Sequence, residues 1–217
     1  MQNRFVLVGT IGRMGQPQVN SRGKPWMLID LDVPSTFKHV ERVDRIVLMA
    51  TDDLVEEYRR DFVEGDTVSV IGVARSSKRE GKVRGEYRVT SLTVQKMQLA
   101  ISANMGFYAG EVVEVGEVEK VGAKGQAQCL DVVLSCWTPD GISKRNRAEV
   151  QVRIFGGWAT HWRARLRKGL MVTCVARMQS YELPSGASGV MLVVGHMEIM
   201  GEGPRRKKPW WEGLRQG

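Results

Sequence analysis

The sequence predicts an all-β protein in which one small five-stranded unit occurs twice. Three features lead there. The apolar runs are short and alternate with polar residues, the period of a half-buried strand. The pattern of the first half recurs in the second at a fixed spacing. Within each half, one stretch with a helical period interrupts the strands at the same place.

In the first half the strand-like runs are FVLVG (5–9), MLIDLDV (27–33), RIVLM (45–49), TVSVIGVA (67–74) and YRVTSLTV (87–94). Gly, Pro, Ser and charged residues punctuate them. In the second half GEVVEV (110–115), CLDVVLSCW (129–137), AEVQVRIF (148–155), LMVTCVARM (170–178) and VMLVVGHMEIM (190–200) repeat the rhythm. Setting Gly65 on Gly169 without gaps places Ile46 on Val150, Leu48 on Val152, Leu54 on Trp158, Tyr58 on Trp162, Phe62 on Leu166, Val68 on Val172 and Val70 on Cys174. Such self-similarity fixes the architecture before any other reading.

Between the third and fourth strands of each copy lies the helical stretch. In DLVEEYRRDFVEG (53–65), Leu54, Tyr58 and Phe62 recur every four residues, as Trp158, Trp162 and Leu166 do in IFGGWATHWRARLRKG (154–169). Both stripes are expected to plug a core, with Gly65 and Gly169 ending the helices. Five strands with a helix between the third and fourth is the plan of the OB-fold, a partly open barrel. The expected organisation is therefore two tandem five-stranded OB-fold barrels, each with one short helix between strands 3 and 4. The first covers 1–103 and the second 104–201, with a basic, Trp-containing tail over 202–217.

The formal net charge of +8 and the isoelectric point near 9.6 favour a polyanionic partner, although the excess is spread along the chain. Three cysteines without a CxxC pair argue against a disulfide framework and suit a reducing cytoplasm. The N-terminus lacks the regions of a signal peptide, and no apolar run approaches the ~20 residues that cross a bilayer. A cytoplasmic protein is expected. Phosphate-loop and HExxH signatures are missing, His39, His161 and His196 are scattered, and the SxxK of Ser35 and Lys38 lacks its companion motifs. No catalysis, cofactor or metal is expected.

NRFVLVGTIGR (3–13), SRGKPWMLIDLDV (21–33), IFGGWATHWRARLRKG (154–169) and VTCVARMQSYELPSG (172–186) resemble the bacterial and phage single-stranded DNA-binding proteins. The resemblance spans 3–200. It implies aromatic side chains that stack on bases without reading sequence, and Lys and Arg that track phosphates. Carried over position by position, the stackers are Phe37, Trp137, Phe155 and Tyr181. The first copy has Thr51 where the second has Phe155, and Arg45 and Glu149 stand near the place of a further aromatic. Trp26, which alternates with the apolar positions 27, 29, 31 and 33, can compensate. The first-copy hairpin SSKREGKVRGEYR (76–88) carries Tyr87 and the basic Lys78, Arg79, Lys82 and Arg84. In the second copy the run KRNR supplies Lys144, Arg145 and Arg147. Arg4, Arg13, Lys24, Arg153 and Arg177 complete the expected phosphate contacts.

Each of these residues also has a purely structural reading. Trp137 and Phe155 can cover a barrel end or an oligomer interface, and the basic runs can be solvated loops. The resemblance further implies single-stranded DNA as partner, a homodimer of four OB units, and replication, recombination or repair proteins as associates. An OB-fold replication adaptor and an RNA-binding OB module are the alternatives. The tail GEGPRRKKPWWEGLRQG (201–217) ends basic and aromatic, where the family has an acidic tip.

Overall fold

The computed structural model describes residues 3–37, 40–79, 82–94, 103–122, 125–137, 147–182, 186 and 188–202, with the backbone alone at 36–37, 40, 77–79, 82–86 and 88–94. The tail beyond 202, including Trp210 and Trp211, lies outside the described residues. The first half runs β1 (Asn3–Met14), β2 (Gln18–Val19), β3 (Pro25–Phe37), β4 (Val40–Thr51), α1 (Leu54–Asp61), β5 (Thr67–Arg79) and β6 (Lys82–Val94). The second runs β7 (Asn104–Val115), β8 (Glu119–Val121), β9 (Ala127–Trp137), β10 (Arg147–Phe155), α2 (Gly157–Arg165), β11 (Leu170–Glu182) and β12 (Ser188–Glu202). All ten expected strands and both helices form. The short β2 and β8 are additions that extend the hairpins before β3 and β9.

Strand pairing closes a ring in each half. β1 pairs with β3 and β5, β3 with β4, β5 with β6, and a single parallel rung, Met49 opposite Arg88, joins β4 to β6. The second half repeats this circuit through β7, β9, β10, β12 and β11, with Arg153 opposite Val193 as the parallel rung. One strand serves two neighbours because it bends. The register of β1 shifts between Ile11 and Arg13, and that of β7 between Val112 and Glu114. At the bend the backbones come so close that a Cβ on Gly9 or Gly110 would lie 2.5 Å from the carbonyl oxygen of Asp32 or Ser135. Only glycine fits there.

Inside each ring the inward side chains are fully buried, among them Leu7, Ile29, Leu31 and Leu48 in the first half and Leu130, Val132, Leu134 and Val152 in the second. Removing such apolar area from water supplies the main stabilisation, roughly 1.5–3 kcal/mol for each large side chain.

The helices plug these cores along a different line from the expected stripe. Val55, Tyr58 and Phe62 are buried in one half and Ala159, Trp162 and Leu166 in the other, whereas Leu54 is only partly covered and Trp158 is 58% exposed. Trp158 is thus not a plug. Ala159 brings the first turn of α2 against the barrel, and the preceding residue on a helix is turned about 100° away. The helices end at Phe62 and Leu166, whose backbones turn extended, and not at Gly65 and Gly169 as the sequence predicts. These glycines lie three residues beyond, in the turns that lead to β5 and β11. Their φ angles are 96° and 91°, and their N–H groups donate to Ile11 and Val112 carbonyls at 2.8 Å in both cases.

The halves join in one twelve-stranded sheet through β1 and β7, antiparallel, with Asn3 opposite Tyr108, Phe5 opposite Gly106 and Leu7 opposite Asn104. Asn3 and Asn104 play the same part on either side. The amide of Asn3 exchanges two hydrogen bonds with the Ala74 backbone at 2.7 and 2.9 Å, and Asn104 does so with Met178 at 2.8 Å each. Each half also lays its long hairpin across the other. Ser76 Oγ accepts the N–H of Gln151 at 2.9 Å, and Asp44 accepts the N–H of Ser180 at 3.0 Å. Among the described residues no helix is long and apolar enough to cross a membrane.

Candidate nucleic-acid interface

Side chains alternate along a strand, so the residues of β9 and β10 between those of the core form one outward face. Its rungs are Trp137 with Arg147, Ser135 with Glu149, Val133 with Gln151, Asp131 with Arg153, and Cys129 with Phe155. Trp137 at one end is 55% exposed, and Phe155 at the other is half-buried. Eight residues of extended chain set these ends ~27 Å apart. Between them, Val133 is buried and the backbone of Gln151 is held by Ser76 of the other half. The face therefore offers two accessible ends.

The cations at these ends differ in freedom. Arg147 reaches Glu111 at 3.3 Å and stays exposed. Arg153 lies flat in a two-pronged pair with Asp131, at 2.6 and 2.7 Å, and hydrogen bonding to that carboxylate raises the guanidinium pKa further. Such a pair fixes Arg153 by charge-assisted bonds and spends much of its field on Asp131. Tyr181, half-buried on β11, lies within electrostatic reach of Arg153. Its ring covers the backbone of Gly189, where a Cβ would come within 2.6 Å of it.

The corresponding face of the first half, on β3 and β4, carries Trp26 opposite Thr51. This rung matches that of Cys129 and Phe155, with the aromatic moved to the neighbouring strand. The half-buried indole of Trp26 faces the same side as Thr51. Lys24 stands beside it, paired with Asp52 at 2.9 Å, and the exposed Arg13 opposes Asp30 on the same face. The rung matching Trp137 and Arg147 holds Pro34 and Val43. Phe37 sits three residues beyond it, opposite Val40, and its side chain is outside the described residues, as are those of Lys78, Arg79, Lys82 and Arg84 and all of Lys144 and Arg145.

Three expected site residues fall elsewhere. Tyr87, expected to stack on a base, is a core residue: it is 6% exposed, meets Phe5 edge-on at 6.3 Å and donates to the Val190 carbonyl at 3.3 Å. Burial drives its phenol pKa up. A ring enclosed in this way presents no face to a base. Arg4 is opposite Phe107 on the outer side of the central sheet, and Arg177, part-buried near Asp44 and Arg42, lies where the halves cross, its pKa lowered by burial. Arg4 does not join the β9–β10 face, and Arg177 is separated from Arg153 on that face by Val193 of β12.

Sequence reasoning missed the partners of the crossing hairpins, Asp44 and Ser180, and the exposed pair Met105 and Phe107 on the central sheet, 45% and 48% exposed. Among the described residues no three His, Cys, Asp or Glu side chains gather as a metal site.

The architecture is that of solved single-stranded DNA-binding proteins. The wild-type single-stranded DNA-binding protein of Thermus aquaticus superposes with a TM-score of 0.68 over 95% of this chain and 96% of that one, at 15% identity. A deletion mutant of the same Thermus aquaticus protein gives 0.66 over 94% and 98%, at 13% identity. No family model matches the chain, and no curated protein matches it in sequence. The fold is thus shared along nearly the whole length while few residues are.

Proposed function

We propose that the chain binds single-stranded DNA without sequence preference and shields it during replication, recombination or repair, acting as two OB units over 1–103 and 104–201. The observation that carries this reading is Trp137, a large flat ring left 55% exposed at the end of a β face whose other end carries Phe155. Exposing an indole forfeits burial energy, and a stacked base restores it at roughly 1–3 kcal/mol. The likeness of fold to the Thermus aquaticus protein supports the same reading. Trp26, Tyr181, Arg13, Lys24 and Arg147 extend the contact surface. Arg153 acts chiefly through its pair with Asp131. The function is binding, with no catalytic step.

A second copy completes the assembly. Met105 and Phe107 lie on the outer side of the central sheet, together with the part-buried Val6 and Val175 opposite them. This exposed apolar cluster, bordered by Arg4 opposite Phe107, supports face-to-face pairing of two chains, giving four OB units.

The test is a salt-dependent titration with oligo-dT and with duplex DNA of equal length. The expected result is tight binding to the single strand, much weaker binding to duplex, and log K falling with log salt at about −0.7 per phosphate contact. Equal or better affinity for oligo-U would assign the module to RNA instead. A mass of one chain in sedimentation would remove the homodimer.

A further inference from the structure

We propose that the exposed face of α2 and the turn that follows it form a further contact for single-stranded nucleic acid, taking the strand where it leaves the β9–β10 face, with Trp158 stacking on a base and Arg165 on the helix and Lys168 in the turn meeting phosphate. The proposal rests on the function proposed above. Trp158 is 58% exposed and lies over Trp162, with ring centroids 6.5 Å apart and planes 29° from parallel. His161 meets both indoles edge-on, at 6.0 and 5.5 Å. The Arg165 guanidinium sits 5.3 Å from the Trp162 ring centre, and no carboxylate pairs with it among the described residues. Between these rings and β12 lies a shallow groove, bordered by Glu198, whose carboxylate is 3.0 Å from His196 Nε2.

Two observations favour nucleic acid as the occupant. Trp158 follows Phe155 by three residues, so the two Cα atoms are at most ~11 Å apart and one extended strand can span both positions. The internal repeat supplies the second. At the positions of Trp158, His161, Arg165 and Lys168, the first copy has Leu54, Glu57, Asp61 and Glu64. The buried partner stays aromatic in both copies, Tyr58 and Trp162. Folding therefore keeps an inner ring beside the other buried helix residues, while the outer position varies. The outer set has changed together, from aliphatic and acidic to aromatic and cationic, which is the change that attracts a polyanion with flat bases.

The experiment installs first-copy residues in the full chain, as Trp158→Leu and Arg165→Asp, and measures affinity for oligo-dT of increasing length. A matched photocrosslinking series uses oligo-dT carrying 5-iodouracil. Near-unchanged thermal unfolding is expected for Trp158→Leu, whose ring is exposed, and a small drop in midpoint for Arg165→Asp, which loses the contacts with Trp162 and His161 and puts a carboxylate in the last turn of α2. Wild-type affinity should keep rising at lengths that run past Phe155. Each variant should lose that increment, about fivefold or more, while matching wild type on the shortest binding oligomers. Crosslinks should map to Trp158. Equal affinity of Trp158→Leu and wild type at every length, with crosslinks confined to other residues, overturns the proposal and leaves the main function standing. So does a Trp158→Leu variant that binds every length normally but loses self-association in sedimentation, which makes the patch a protein contact. If wild type itself ignores oligo-dT at low salt, the functional reading fails first and this proposal with it.

Discussion

Asp44 on β4 holds Ser180 on β11 by two hydrogen bonds, from the backbone N–H at 3.0 Å and from the hydroxyl at 3.1 Å, across the line where one half of the protein crosses the other. The carboxylate is fully buried and also takes the Ser35 hydroxyl at 2.7 Å and the Arg42 guanidinium. Replacing it with alanine strips the acceptor from several donors at once. Asp44→Ala is expected to cost about 2–4 kcal/mol in urea unfolding, and Asp44→Asn less, since an acceptor oxygen remains. A loss below about 0.5 kcal/mol for Asp44→Ala would show that the crossing contributes little.

The two tryptophans of α2 should behave oppositely. Trp162 is 4% exposed in the second core, so Trp162→Ala is expected to lower stability by about 3–5 kcal/mol. Trp158→Ala removes an exposed ring and should cost under about 1 kcal/mol. Thermal unfolding of the two variants side by side checks the order.

Cys129, Cys136 and Cys174 are all buried and free of disulfides. Burial pushes the Cys129 thiol up to about 11 and Cys174 to about 12, and it raises Cys136 as well. Thiols in the unfolded chain ionise near pH 8.5, by the reference value. The folded protein then keeps protons that the unfolded chain releases, so stability is full below about pH 8.5 and declines as pH rises toward 11 and 12. Denaturant midpoints at pH 7, 9 and 10 should fall in that order. At pH 8 a thiol reagent should react only after unfolding.

Tyr108 is fully buried beside Gly106, and its hydroxyl has no hydrogen-bond partner among the described residues. Tyr108→Phe removes that unsatisfied group while keeping the ring. It is expected to leave stability unchanged or to raise it by up to about 2 kcal/mol, read from the urea midpoint.

The doubled architecture was legible in the sequence because period-two runs and the spacing from Gly65 to Gly169 are properties of a single chain segment. Trp137 and Phe155 were legible only through the family resemblance, and both flank buried positions, Cys136 and Ile154, on their strands. Tyr87 was not, because Val190 of the other half comes over it, and that contact exists only once β1 and β7 have paired. Trp158 was misread because a Leu or Trp in a helical stripe signals a core position more strongly than Ala159, the residue that approaches the barrel. The pairing of Arg153 with Asp131 follows from cross-strand register, which alternation alone does not set.

The most direct measurement is the affinity of wild type and of the Trp137→Ala, Phe155→Ala double variant for oligo-dT at low salt, followed by tryptophan fluorescence and by an independent mobility assay. Wild type is expected to bind with quenching, and the double variant to bind at least tenfold more weakly, on the order of 1–3 kcal/mol per lost stack, with nearly unchanged thermal unfolding. Wild-type protein that leaves oligo-dT free, or a double variant that binds as tightly as wild type, would contradict base stacking on this face.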